Sequence, residues 1–186
     1  MTKHRIKQIL LGIGVLFLLS FTSANIGEKV DELNGVAVYA NGDTYLKSHG
    51  KHYASDGYYY GKKWQCVEFI KRYYYDHYKH KFPNTYGYAK DFWDLNAAQG
   101  EYNKARDLTQ YYNDNTTKPY EGDLVCFPFS AYGHVAIVAK VSDKSVEVIQ
   151  QNIAGKTRDT YSLTSANGKY SMTDGSTKPI GWLRKK

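Results

Sequence analysis

Cys66, in the run Lys63-Trp64-Gln65-Cys66-Val67-Glu68-Phe69, opens a strongly periodic helical stretch and follows Gly61, Lys62 and Lys63. A thiol placed there faces the positive end of a helix dipole and two ammonium groups, both of which favour thiolate, the nucleophilic form. Such a nucleophile needs a base from elsewhere in the chain. His134, directly after Gly133 and at the head of the apolar run Val135 to Val138, offers one on a rigid strand end. A working imidazole also needs an acceptor for its second N–H. Gln150 and Asn152 are two apart on the next apolar run, so they share a strand face and could supply an amide oxygen, whereas Glu147 points to the other face and into solvent. The set fits nucleophilic attack on an acyl carbon. Taken singly, each member also fits a plain structural role, as a buried cysteine or a satisfied histidine.

The other reactive side chains are less informative. Cys126, in Leu124-Val125-Cys126-Phe127, has no neighbouring cation or base and reads as a small buried hydrophobe; a bridge to Cys66 is the alternative, and it would silence the thiol. The pairs His49 with His52 and His77 with His80 have a spacing that zinc ligands use, but nothing supplies third and fourth ligands. No metal and no cofactor is expected.

The elements that must position these residues are short. Asn34 to Ala40 reads as a strand, and Asn41 to Gly57 as a polar loop. In the helical stretch Cys66, Phe69, Ile70, Tyr73, Tyr74 and His77 mark one face and Glu68, Lys71, Arg72 and Asp76 the other, with Pro83 ending it. Tyr88 to Ala98 is a weaker helix candidate, and Asn113 to Lys118 a loop. Strands follow at Asp123 to Phe129, His134 to Val141, Val146 to Asn152 and Gly181 to Arg184. The middle two form a hairpin, and helix first with antiparallel strands afterwards indicates an α+β domain. His134 can share a face with Gln150 and Asn152 only if paired residue numbers sum to an even value, or if a bulge restores that phase; His134 then lies opposite Asn152, with Gln150 on the diagonal and Glu147 pointing away.

Ahead of the domain stand Lys3, His4, Arg5 and Lys7, an apolar run from Ile9 to Phe21, and the small residues Thr22, Ser23 and Ala24. These are the three parts of an export signal, expected to be cleaved after Ala24 and to leave no stable membrane span. Residues 25–186 then make one domain. The formal net charge of +7 comes without an aromatic-basic RNA motif or a recognition helix, so no nucleic acid is expected. For an exported protein an anionic wall or membrane surface is the expected partner. Nineteen tyrosines in 186 residues suit a sheet-rich domain with an aromatic surface or groove.

WQCVEF around Cys66, GHVAIV around His134 and Gln150-Gln151-Asn152, in that order, resemble the CHAP family of cysteine, histidine-dependent amidohydrolases and peptidases. Within that family the likeness is marked to glutathionylspermidine amidase domains, which also carry a KWQCVEF block, a GHVAI strand and a Gly-Trp near the end, here Gly181 and Trp182. The resemblance implies a papain-like (NlpC-type) fold with the nucleophile on a helix packed against an antiparallel sheet. It implies Cys66 as nucleophile, His134 as general base and then acid, and residues 150–152 as the source of the orienting group. The family usually has Glu-Gln-Asn where this chain has Gln150-Gln151-Asn152, so the acidic orienter is missing, which implies lower activity or a lower optimum pH. Some members bind calcium through aspartates before the cysteine; Asp56 alone stands there in this chain.

The expected function is that of a secreted or envelope-located amidohydrolase cutting amide bonds in peptidoglycan peptides. Two alternatives stay open: a small-molecule amidase acting on glutathionylspermidine-like conjugates, and a non-catalytic wall-binding module with the same fold.

Overall fold

The computed structural model describes residues 24–84 and 86–186; apart from Ala24, the expected export signal lies outside the described residues. The chain begins with a hairpin of β1 (Lys29–Leu33) and β2 (Val36–Tyr39), turned by Asn34 and Gly35 at φ 50° and 81°. Positive φ at two consecutive residues is what an Asn-Gly hairpin turn requires. A second ribbon pairs β3 (Lys51–Tyr53), inside the stretch expected to be loop, with β4 (Tyr59–Lys62) just after it. Then comes α1 (Cys66–Tyr78). It ends at Lys79, which adopts a left-handed conformation (φ 54°) and donates its N–H to the carbonyls of Tyr74 and Tyr75, four residues before Pro83. The expected helix at Tyr88 to Ala98 is a single 3-10 turn, Ala89–Phe92.

The remaining strands are β5 (Tyr102–Asn103), β6 (Leu108–Tyr112), β7 (Leu124–Phe127), β8 (His134–Val141), β9 (Ser145–Ile149), β10 (Arg158–Ala166), β11 (Lys169–Thr173) and β12 (Gly181–Arg184). They form one antiparallel sheet in the order β11-β10-β9-β8-β7-β12-β6-β5, and a bridge between Asn115 and Tyr170 ties β11 back toward the β6 side. Among the described residues the architecture is α+β, with one α-helix beside mostly antiparallel strands. Alternation along the central strands divides the interior. Leu124, Cys126, Val135, Ile137 and Ile149 face α1, while Val125, Phe127, Ala136, Val138 and Trp182 form a second core on the other side of the sheet.

Glu68, Lys71 and Arg72, on the polar face of α1, are withdrawn from solvent, with exposures of 0%, 1% and 6%. The two ribbons, of whose four strands only β2 was expected, cover that face, and they supply the partners buried ions need. Glu68 carboxylate oxygens lie 2.6 Å from Arg72 Nε, 2.8 Å from His52 Nδ1 on β3 and 2.7 Å from Gln151 Nε2. Arg72 Nη1 donates to Ala37 O on β2 at 2.7 Å, and Lys71 Nζ donates to Tyr59 O on β4. Burial alone would raise the Glu68 pKa, but the bonds from His52, Arg72 and Gln151 hold it below the usual carboxylate value.

Removing one member of a buried ion pair strands the other, at a cost of about 3–5 kcal/mol. Glu68→Ala is expected to lose that much unfolding free energy in urea titration. Because its folded pKa is depressed, the stability Glu68 contributes is present above pH ~4.3 and lost as pH falls below it. The wild-type protein is therefore expected to lose more stability than Glu68→Ala on acidification through that range.

Candidate active site

Cys66 is the first residue of α1 and His134 the first of β8, and both line a cleft of about 830 Å³ between the helix start and the sheet. The hairpin carrying the histidine turns at Asp143 and Lys144, with Ser142 N–H to Ser145 O at 2.8 Å. That two-residue turn gives odd sums at first, Val141 opposite Val146 and Lys140 opposite Glu147. A bulge at Ala139 then restores even sums, Val138 opposite Val148 and Ile137 opposite Ile149. The bulge alternative is the one the chain adopts, and it puts His134 and Gln150 on one side.

His134 Nε2 lies 3.0 Å from Gln150 Oε1, and both side chains are buried. An amide oxygen only accepts, so Nε2 carries the proton and Nδ1 presents its lone pair. Phe127 and Phe129 flank the imidazole at ring-centre distances of 6.1 and 5.9 Å. This apolar surrounding pushes the His134 pKa down to about 4, against a smaller opposing pull from the Gln150 bond. Gly133, before it, has φ 72°, and a Cβ there would meet Lys90 N at 2.7 Å, so only glycine lets the loop close over the 3-10 turn.

Asn152 is not brought to His134. The β8–β9 ladder ends at Ile149, and Asn152 takes a left-handed conformation (φ 67°) that swings its side chain toward α1. There its Nδ2 donates to Gln65 Oε1 and to Tyr45 O, both at 2.8 Å, and its Oδ1 accepts from Asn41 Nδ2 at 2.6 Å. Gln65 Nε2 in turn donates to Lys47 O at 2.7 Å. Gln65 and Asn152 thus hold residues 45–47, whose Tyr45 and Leu46 form one wall of the cleft. Gln65 and Asn41 escaped the sequence reading, because amides that bond to loop carbonyls leave no spacing signal. Glu147 lies away from the cleft, half-exposed and bonded to Arg158 at 2.7 Å.

The thiolate expectation is also corrected. The backbone N–H groups of Val135, Val67 and Cys66 itself point at the sulfur, but burial outweighs them and pushes the Cys66 thiol up to about 11. Neither lysine bears on it: Lys63 lies over the Trp64 ring at 5.6 Å, and Lys62 is exposed at the cleft edge. At rest a neutral thiol and a neutral imidazole line the same cleft. Cys126 is buried with its pKa raised by desolvation, and both cysteines are free thiols.

The histidine pairs are spent elsewhere: His49 on Asn41 O at 3.2 Å, His52 on Glu68, His80 on Arg106 O at 3.0 Å, and His77 among the rings of Tyr73 and Tyr78. Asp56 is bonded to Lys81 at 2.7 Å, which with the Tyr58 N–H and Tyr75 holds its pKa down at about 2. Among the described residues no three His, Cys, Asp or Glu side chains cluster as metal ligands, and no helix is long and apolar enough to cross a membrane.

A family model described as the CHAP domain matches residues 55–152, a span holding Cys66, His134 and Gln150 to Asn152. Bifunctional glutathionylspermidine synthetase/amidase of Escherichia coli (strain K12) is 27% identical over 172 residues, covering 80% of this chain and 27% of the relative. The protein of the same description from Shigella flexneri matches to the same extent. The chain spans about a quarter of the length of these curated relatives.

A buried neutral thiol reacts slowly until pH approaches its pKa. Iodoacetamide labelling of native Cys66 is therefore expected to be slow at pH 6 and to climb steadily above pH 8, as followed by mass spectrometry with Cys126 as the protected internal control. A fast plateau already at pH 6 would mean a preformed thiolate and would contradict the neutral pair.

Proposed function

A family match over residues 55–152, more than half of the 186, makes the chain a member of the CHAP domain family, and on that premise we propose that it is an extracytoplasmic cysteine amidohydrolase cutting amide bonds in peptidoglycan peptides. The observation that carries the reading is the His134–Gln150 bond, because it leaves Nδ1 as the acceptor in a cleft that Cys66 also lines. As Cys66 Sγ bonds to the acyl carbon, its proton passes to Nδ1 and the carbonyl π pair moves onto oxygen. The developing oxyanion is met by the first N–H groups of α1, which have no intrahelical acceptor. On collapse the C–N bond breaks and the imidazolium gives its proton to the leaving amine. Water then attacks the thioester, His134 takes its proton, and the thiol is restored as the carboxylic acid leaves.

The likeness to bifunctional glutathionylspermidine synthetase/amidase favours a second reading, an amidase for glutathionylspermidine-like conjugates. The cleft argues against it. Among the described residues no Asp or Glu lines it and the one charged side chain is Lys62, so a cationic polyamine arm would find no carboxylate there. Export, read from the leader pattern of residues 1–24, and the net charge of +7 favour an anionic extracytoplasmic substrate. Purified sacculi and glutathionylspermidine, incubated separately with the protein and assayed for released amines by mass spectrometry, decide between the readings. New amines from sacculi alone are expected. Cys66→Ala and Cys66→Ser should abolish release in a folded protein, whereas Cys126→Ser should keep it; the reverse pattern would move the nucleophile, and no release from either substrate would favour the non-catalytic module.

Burial of His134, with a neutral amide behind it, sets the pH response. His134 works as a neutral base, so turnover should hold down to about pH 4 and fall below it, as the imidazole protonates. A carboxylate at position 150 would stabilise the imidazolium. Gln150→Glu is expected to move the acid limb of kcat/KM upward toward pH 6 to 7, with activity at neutral pH unchanged or raised. A well-folded Gln150→Glu protein with a large loss at every pH would show that the amide serves another purpose.

A further inference from the structure

The β3–β4 ribbon carries a charge arrangement that no carboxylate among the described residues pairs. Lys51 lies directly opposite Lys62 across the antiparallel pair, and like charges in that position destabilise a ribbon. Lys47 precedes the ribbon, and Lys63 follows it with its N–H on Gly50 O at 2.8 Å. Among the described residues none of these four lysines takes part in an ion pair, although Lys29, Lys81, Lys118 and Lys156 all do. His52 turns inward to Glu68, so its neighbour Lys51 turns outward. Beside the lysine pair lies an aromatic pair, Tyr53 and Tyr59, with ring centres 5.1 Å apart, and Tyr53 is 49% exposed. Lys62 and Tyr59 also line the cleft, so the surface is continuous with it.

Unpaired point charges next to aromatic faces recognise a chain that alternates negative charge with stackable C–H surface. The charges are all lysine. Lysine binds phosphate as a point charge, whereas a planar carboxylate is better held by the arginine fork. We propose that the outer face of the β3–β4 ribbon binds a linear polyol-phosphate polymer, the phosphodiesters on Lys51 and Lys62 and the polyol C–H faces on Tyr53 and Tyr59, and so seats the cleft against a phosphate-rich matrix. This surface is separate from the acyl chemistry and is read by binding, with no turnover needed.

The test uses poly(glycerol phosphate) as the probe, with the purified protein at several salt concentrations. Binding is expected to weaken steeply with salt, and Lys51→Gln/Lys62→Gln to weaken it about tenfold at low salt and to flatten the salt dependence. Lys144→Gln/Lys169→Gln, which removes the same charge from the β8–β9 turn and from β11, is expected to leave affinity within about twofold of wild type. Tyr53→Ala, which keeps the charge, is expected to weaken binding several-fold. Equal losses in the two lysine double variants would reduce the effect to net charge and overturn the proposal. Tighter binding to a single-stranded oligonucleotide of equal charge, or to vesicles rich in anionic lipid, than to the polymer would overturn it as well.

Discussion

The carboxylate of Glu68 is fully withdrawn from solvent, and the arrangement of everything around Cys66 depends on how that charge is met. Desolvating a carboxylate costs several kcal/mol, so it persists only where opposite charge and donors close round it. Here the donors come from three parts of the chain, Arg72 one turn along α1, His52 on β3 and Gln151 after β9, and Arg72 donates in turn to the Ala37 carbonyl on β2. His52 and Ala37 lie on ribbons outside the main sheet. The ribbons β1–β2 and β3–β4 are too short to stand alone in water. The buried ion gives them a reason to dock on the helix, and in docking they build one side of the cleft two residues from the thiol.

The sheet solves a separate problem, that of bringing an imidazole from a strand to a thiol on a helix. A two-residue turn alone would have left His134 and Gln150 on opposite faces, and the bulge at Ala139 corrects the phase. Because the ladder then stops at Ile149, the head of β8 is open on that side, and the Val135 N–H is directed at the Cys66 sulfur. Burial sets the chemistry that results. Without a carboxylate behind His134, no charge favours an imidazolium in this apolar pocket, and the thiol in the same cleft has no cation to hold it as thiolate. In the proposed reaction proton transfer therefore accompanies attack instead of preceding it.

Much of this was legible before any coordinates. Cys66, His134 and Gln150 stand out because each is a functional type at the boundary of a strongly patterned element, and β8, β9 and β12 are apolar runs long enough to read. What the pattern hid has physical causes. Glu68, Lys71 and Arg72 look like a solvated stripe because periodicity reports polarity and not partners. The strands β1, β3, β10 and β11 carry too few core residues to stand out, yet Asn34-Gly35 and Asn167-Gly168, all at positive φ, mark two of their hairpin turns in the sequence itself. Asn152 misled because period-two reasoning assumes a strand continues, and this one ends three residues earlier.

That ending gives the run Gln150-Gln151-Asn152 its character. In a regular strand the first and third side chains would have faced His134 together and the second would have faced away. In the irregular segment the three point three ways: Gln150 to the imidazole, Gln151 to Glu68 and the Tyr39 N–H, and Asn152 to Gln65 and the Tyr45 loop. Asparagine tolerates the left-handed conformation at 152 better than most residues, which is what frees its side chain from the strand phase. Three consecutive amides therefore join the candidate base, the buried ion and the cleft wall through one stretch of backbone. A shift of that backbone cannot alter one without altering the others, so the geometry at Cys66 is held by the same contacts that hold the ribbons to the helix.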